Sequence, residues 1–477
     1  MKRTTVIIIL VLLGLNPLMY AQELEEYLQI AAENNPELQA YFNEYLAALE
    51  RVPQFGILPD PELNVGFFFQ PMERFMGKQQ ADIQLMQMFP WFGMLRTQKD
   101  EASKMALAQY QGFEDAKNRL FYEVKNTWYD MYRLEQEISI TEANLEILQT
   151  YERLALIRFQ SAGGISSSSG SIQAGGSMNS SSTTSSGSSM GSMGGGMNQG
   201  NTAKASSSKS TSQSMGPSGA SMGSGNSGMS DVLQIRMEIN ELKNTLSSLK
   251  DSRVPLQAEF NQLLNREYNE QVALPDTLSD KALTMERLAL LDSITQNNPM
   301  LKMLDAETEV YEVQKKMARL EGKPMLGAGV NYMPFIPRSE DGMSMGGRDM
   351  IMPMVSVSIP IYRKQYAAKL KEAELKQQAV QQRKESTVNQ LSVQWATALR
   401  DLDDANRRTA LYREQSGLAQ QTLNLLMTSY SSSGQGFEEV LKVQQQLLDY
   451  QLKQITSIVD QHTTVAMLEM LAATTLN

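Results

Sequence analysis

The chain contains itself twice, and that duplication limits its folds more than any other feature. AAENNPELQAYFNEYLAALERV, starting at Ala31, is echoed by SITQNNPMLKMLDAETEVYEVQKKM, starting at Ser293. The shared NNP sets Pro36 opposite Pro299. Each copy then enters two short segments of period two, ELNVGFFFQP (Glu62–Pro71) and ADIQLMQMFP (Ala81–Pro90) in the first, MLGAGVNYMP (Met325–Pro334) and MIMPMVSVSIP (Met350–Pro360) in the second. Alternation of this kind predicts strands with two unlike faces. Every second strand stops at a proline, Pro90 or Pro360.

After those prolines the period changes to about 3.6. From Leu95 to Ala162 there is no proline and only Gly112, and an apolar stripe runs through Leu120, Val124, Trp128, Met131, Leu134, Ile138, Thr141, Leu145, Leu148, Tyr151, Ala155 and Phe159. A helix of this length is roughly 100 Å long and must pack as a coiled coil. The second copy repeats the pattern from Tyr362. Each long helix meets a small-residue break and then a returning helix, beginning SDVLQIRMEINEL at Ser230 and FEEVLKVQQQLLDY at Phe437. Asp231 faces Glu439 at an offset of 208, against 270 for the two prolines, so the first copy carries about 62 additional residues at its hairpin tip. They match a Ser/Gly/Met tract over about 163–229. That composition cannot bury enough apolar surface to offset chain entropy, which predicts a flexible insertion.

The expected organisation is a leader at 1–21 followed by two repeats, 22–280 and 281–477. In the first, strands near 62–71 and 81–90 precede a helix near 94–162, the insertion at 163–229 and a returning helix near 230–265. In the second, strands near 325–334 and 350–360 precede helices near 362–432 and 436–475. The leader MKRTTVIIILVLLGLNPLMYAQ has a basic start (Lys2, Arg3), a short apolar run and Ala21 at the expected cleavage point, the pattern of a secretory signal peptide. There is no cysteine, which excludes disulfides, thiolate metal sites, a cysteine nucleophile and lipidation through cysteine. A net charge of −10 with dispersed Lys and Arg excludes nucleic acid as a partner. No catalytic constellation and no resident cofactor are expected, and His462 stands alone in a helical stretch.

Four strands cannot close a transmembrane barrel, which needs about eight, and open sheet edges are not tolerated in lipid. Three chains would supply about twelve strands, so the arithmetic predicts a homotrimer sharing one barrel. The ordered set of duplicated NNPEL and NNPML starts, the FPWFGMLR and IPIYRKQ strand-to-helix junctions and the tip turns leading into DVLQ and EEVLKVQQQLLD resembles the outer-membrane efflux protein family, the TolC-like channels. The resemblance covers nearly all of the chain after the leader except the insertion. It implies a mostly α fold with a small β part: long coiled-coil hairpins forming a trimeric α-barrel in the periplasm, topped by a shared β-barrel in the outer membrane with four strands per chain. It further implies docking of the helix tips onto a periplasmic adaptor and an inner-membrane pump, and export of drugs, metal ions or proteins. The rival from another class is a secreted coiled-coil tether, which has no use for four alternating strands in register.

Three groups of residues are candidates for function. Asp231 and Glu439 fall where the family places acids near the periplasmic aperture. Each also suits a helix N-terminus electrostatically, and Lys442 departs from the family's second acid. Seven of the 31 methionines lie in or beside the insertion: Met178, Met190, Met193, Met197, Met215, Met222 and Met229. Thioethers are soft donors that select Cu(I) or Ag(I), which would be transient cargo and not a cofactor. Period two also places Met86 and Met88 with Asp82 and Gln84, and Met352 and Met354 with Ser356 and Ser358, on a polar, lumenal face. Gln87 departs by landing on the lipid face, and Trp91 and Phe92 fit an aromatic belt at the membrane boundary.

Overall fold

The computed structural model describes residues 19–74, 77–164, 227–281, 283, 285–340, 343–433 and 436–475. Helices α1 (Met19–Asn34) and α2 (Pro36–Arg51) lead into strands β1 (Glu62–Arg74) and β2 (Gly77–Phe89), then helix α3 (Met94–Gly164) and helix α4 (Ser227–Leu263). The order repeats with α5 (Arg287–Asn297), α6 (Pro299–Glu321), β3 (Met325–Met333), three short strands β4 (Phe335–Ile336), β5 (Arg338–Glu340) and β6 (Met343–Met345), β7 (Met350–Ser358), α7 (Arg363–Ser433) and α8 (Phe437–Ala472). The short strands are additional to the four expected from alternation, and the long strands are shifted by a few residues. The first eighteen residues and the insertion from 165 to 226 lie outside the described residues.

The chain forms two compact units, Met1–Asn144 with Leu242–Asn477, and Leu145–Glu241. The first contains the sheet and two hydrophobic clusters. Leu28, Ala31, Leu38, Leu120, Val124, Trp128, Phe260 and Leu264 belong to one, and Leu290, Ile294, Leu301, Ala398, Leu402, Leu468 and Ala472 to the other. These are the same core built twice: Ala31 and Ile294, Leu38 and Leu301, Phe260 and Leu468, and Leu264 and Ala472 hold equivalent places. The stripe on α3 is buried throughout except at Leu145 and Phe159, which are half-buried.

The repeated NNP motif has a physical explanation. Asn35 caps α2 by accepting from the Leu38 amide at 3.0 Å, while its own amide donates to the Leu263 carbonyl at 2.9 Å. Asn298 caps α6 by accepting from Met300 and Leu301 at 3.1 and 3.4 Å, and donates to the Leu471 carbonyl at 3.0 Å. One side chain thus satisfies the start of one helix and the end of another, both otherwise unpartnered. Proline at the first helical position has no N–H to waste and is preset for helix. Both asparagines are buried.

Between the repeats, the described residues of 265–286 carry no regular element, and side chains satisfy part of their backbone. Trp128 Nε1 donates to the Ala273 carbonyl at 3.2 Å, and the Leu278 amide donates to the Tyr132 hydroxyl at 3.0 Å. His462 Nε2 lies 2.8 Å from the Ser279 carbonyl, with its ring against Tyr129. Burial, the dominant cause, pushes the imidazole below its usual pKa range, so a neutral ring whose N–H donates fits the site. Its role is to fasten the linker.

Asn298→Ala should cost about 2 kcal/mol, combining a lost cap with a buried carbonyl left unpaired. Asn298→Asp keeps the cap but loses the amide donor and stays destabilised. Chemical unfolding of detergent-solubilised protein checks both, and wild-type stability of the Asp variant would assign the whole effect to the cap.

Candidate functional site

The four main strands form an antiparallel sheet in the order β1-β2-β3-β7. Pairing fixes which residues share a face. Met86 lies opposite Gly329, which lies opposite Met354; Met88 opposite Gly327 and then Ser356; Gln84 opposite Asn331 and then Met352. The four methionines singled out from the sequence therefore occupy one face, in three successive rows, among Asn64, Asp82, Gln84, Asn331, Ser356 and Ser358, and Met325, Met333 and Met350 share that face.

The opposite face is apolar and open. Leu63, Val65, Phe67, Leu85, Leu326, Val330, Ile351, Val355 and Val357 are all exposed, Val355 at 81% and Phe67 at 72%. An apolar surface of this extent marks a face meant for something other than water. Gln87 sits within it, and its amide donates to the Pro59 carbonyl at 2.7 Å, so the chain itself satisfies the one polar intruder. Strands of 13, 13, 9 and 9 residues are long enough for a tilted membrane crossing. No described helix is long and apolar enough to do so.

At the helix end of the sheet, the two repeats make parallel junctions. Trp91 and Phe92 meet edge to face at 6.1 Å, and Phe92 is largely exposed. Ile361 and Tyr362 are exposed at the matching place. Gly93 has φ +87°, a left-handed turn that costs glycine little, and its carbonyl accepts from both the Thr97 amide and hydroxyl at 2.9 Å to start α3.

Two glycines that alternation alone did not single out shape the polar face. A Cβ at Gly327 would collide with Ser356 Oγ and stand 2.7 Å from Met88 Sδ and 3.4 Å from Met86 Sδ. A Cβ at Gly329 would stand 2.6 Å from the Leu85 carbonyl and 3.1 Å from Met86 Sδ. The signal was in the sequence: glycine at alternate positions of a strand marks a close approach on one face.

The tip residues Asp231 and Glu439 fall in different units. Asp231 lies in the first turns of α4, beside the buried Val232 and Ile235, and desolvation raises its carboxyl above the ordinary range. Glu439 is exposed in the first turn of α8 with Glu438, after Gly436 at φ +86°. Its Oε2 curls back to 3.5 Å from where a Gly436 Cβ would stand, so the carboxylate complements the helix N-terminus. Glu438 is a neighbouring acid in the same turn, whereas Lys442 stands where the family resemblance implied a second acid. Met229 is described and exposed; Met178, Met190, Met193, Met197, Met215 and Met222 lie outside the described residues. Among the described residues no group of three or more His, Cys, Asp or Glu could hold a metal ion.

The sequence matches no protein-family model and no curated protein. Its fold does match solved structures. The outer membrane protein VceC from Vibrio cholerae superposes with a TM-score of 0.67 at 13% identity, covering 96% of this chain and 98% of that one. The open-state outer membrane channel MtrE of Neisseria gonorrhoeae gives 0.66 at 15% identity, covering 95% and 90%. CusC, from a study of folding and transmembrane channel formation, gives 0.65 at 12%, covering 94% and 92%. The chain has the fold of the outer-membrane channels. The likeness spans almost the whole of each partner, so both the helical hairpins and the sheet take part in it.

The two faces predict opposite responses to charge. Val355→Arg on the apolar face should block membrane assembly, at a cost of about 2–4 kcal/mol per chain near mid-bilayer. Ser358→Arg on the methionine face should assemble normally and shift ion preference in planar-bilayer conductance. Reversal of the two outcomes would invert the assignment of faces.

Proposed function

We propose that this chain is the outer-membrane channel of a tripartite efflux pump, acting as a homotrimer with a periplasmic adaptor and an inner-membrane pump. The observation that carries the reading is the sheet, with one exposed apolar face, one methionine-rich polar face, and β1 and β7 as edge strands whose outer sides have no partner among the described residues. Because the four strands alternate in direction, β7 of one copy meets β1 of the next antiparallel. Three copies then close twelve strands with no free edge, the condition lipid imposes. The family resemblance and the channel neighbours support the same assembly.

The channel does no chemistry; transport energy comes from the inner-membrane partner. The leader through Ala21 directs export, and the family resemblance implies helical hairpins in the periplasm. Asp231, in three copies, would lend a periplasmic aperture an acidic character that favours cations, and so, separately, would Glu439. Cu(I) or Ag(I) is the cargo. Met178, Met190, Met193, Met197, Met215, Met222 and Met229 offer soft donors that hold the ion weakly and release it. Their irregular spacing suits transient sites of two or three thioethers and not a fixed cage.

The test replaces all seven with Leu in cells that depend on the pump. Copper and silver tolerance should fall while trimer yield stays constant. Undiminished metal tolerance would leave the insertion as a spacer that shapes adaptor docking, and drug efflux would replace metal export as the reading.

A further inference from the structure

The methionine face contains a more definite feature than a soft-lined wall. The Ser356 hydroxyl lies 3.7 Å from Met86 Sδ and 3.8 Å from Met88 Sδ. All three atoms border the place that a Gly327 side chain would fill. Gly327 thus leaves a notch on the sheet surface ringed by two thioethers and one hydroxyl. Met86 also lies against Gly329, across which Met354 stands on the neighbouring strand.

We propose that this notch is a binding site for a soft monovalent cation, with Met86 and Met88 Sδ as ligands and Ser356 Oγ as a third, weaker donor. The chemistry is specific. Two neutral thioethers suit Cu(I) or Ag(I). Mg²⁺ and Ca²⁺ require several oxygen ligands, usually including carboxylates, and none of the three donors is a carboxylate. Zn²⁺ takes histidine, thiolate or carboxylate ligands, which the notch also lacks. Rotation about the flexible methionine side chains brings both sulfurs onto an ion placed above Gly327 without moving the backbone.

The site is one step of a ladder. Met325, opposite Ser358, lies in the row nearest the helices; outward from it, Met88 is in the first row, Met86 and Met354 in the second and Met352 in the third. Successive same-face rows are about 7 Å apart, two residues along a strand. An ion released from the notch meets further thioethers along the strands, away from the helices. Nearby, Asn331 is buried with Oδ1 unpartnered, next to Met352 in the third row. The ladder rests on the reading of this face as the lumen of an exporting channel, but the binding site itself is tested apart from export.

The probe is Ag(I) alone, added to purified full-length trimer in which the seven methionines of and beside the insertion are Leu. Bound silver is measured by equilibrium dialysis and elemental analysis. About one Ag(I) per chain should be bound at the notch, and M86L/M88L, which conserves volume, should lose it. Gly327→Ala, with both thioethers retained, should weaken binding at least about tenfold by filling the notch. Trimer retention on a semi-native gel verifies folding of each variant. Equal silver binding in the background and in M86L/M88L overturns the site, even if Gly327→Ala fails to fold. Cellular tolerance separates the two claims. Silver bound at the notch with undiminished tolerance in M86L/M88L cells supports the site and overturns its part in export. No silver at the notch, with tolerance still dependent on the seven insertion methionines, overturns the site and upholds metal export.

Discussion

Backbone groups at the edge of a sheet must find partners, and here two strand edges face outward on a sheet whose one side is apolar. In water both features are liabilities: the edges invite uncontrolled pairing and the apolar side invites aggregation. In lipid the apolar side becomes an asset, but each unpaired edge group costs several kcal/mol. The single chain therefore has no environment that suits it alone. The proposed closure with identical copies would resolve both problems together, and the alternating strand directions would make that closure antiparallel.

The rest of the chain holds the sheet in a defined place. Each strand pair hangs between a short capped helix and a helix of 71 residues. Asn35 and Asn298 tie the short helices to the ends of the returning ones, and the linker between repeats is pinned by Trp128, Tyr132 and His462. Lys125 and Glu469 join the first repeat to the second at 2.6 Å in a largely buried ion pair. Such a pair favours one arrangement over others more than it adds net stability, since desolvation offsets much of its attraction. The core and its latch are thus duplicated, once in each repeat.

Much of this was legible in the sequence because the signals were periodic. The strand faces followed from alternation, and the buried stripe on α3 followed from three- and four-residue steps. Repetition located the junctions, since each motif could be checked against its twin. Three kinds of feature were less accessible. The dual role of the NNP asparagines depends on a partner carbonyl more than 170 residues away, which no local pattern encodes. The notch at Gly327 depends on side chains from two strands meeting over a side chain missing from the strand between them. The short strands after Pro334 arise because proline cannot donate to the ladder, so β3 stops and β4 resumes the pairing with β2. At the tips, the acids were found by alignment of the two halves, but the orientation of Glu439 toward its own helix end needed coordinates.

The central claim is that β1 of one copy pairs with β7 of the next. The chain has no cysteine, so introduced thiols report without background. One cysteine is placed in β1, at Leu63, Val65 or Phe67, and one in β7, at Ile351, Val355 or Val357. Mild oxidation follows in outer membranes, and products are resolved by mass under denaturing conditions. Cross-strand neighbours lie within disulfide reach. At least one combination should give covalent dimers and trimers, ending at three chains. Products confined to single chains in every combination, or a series extending beyond three, would contradict the shared barrel.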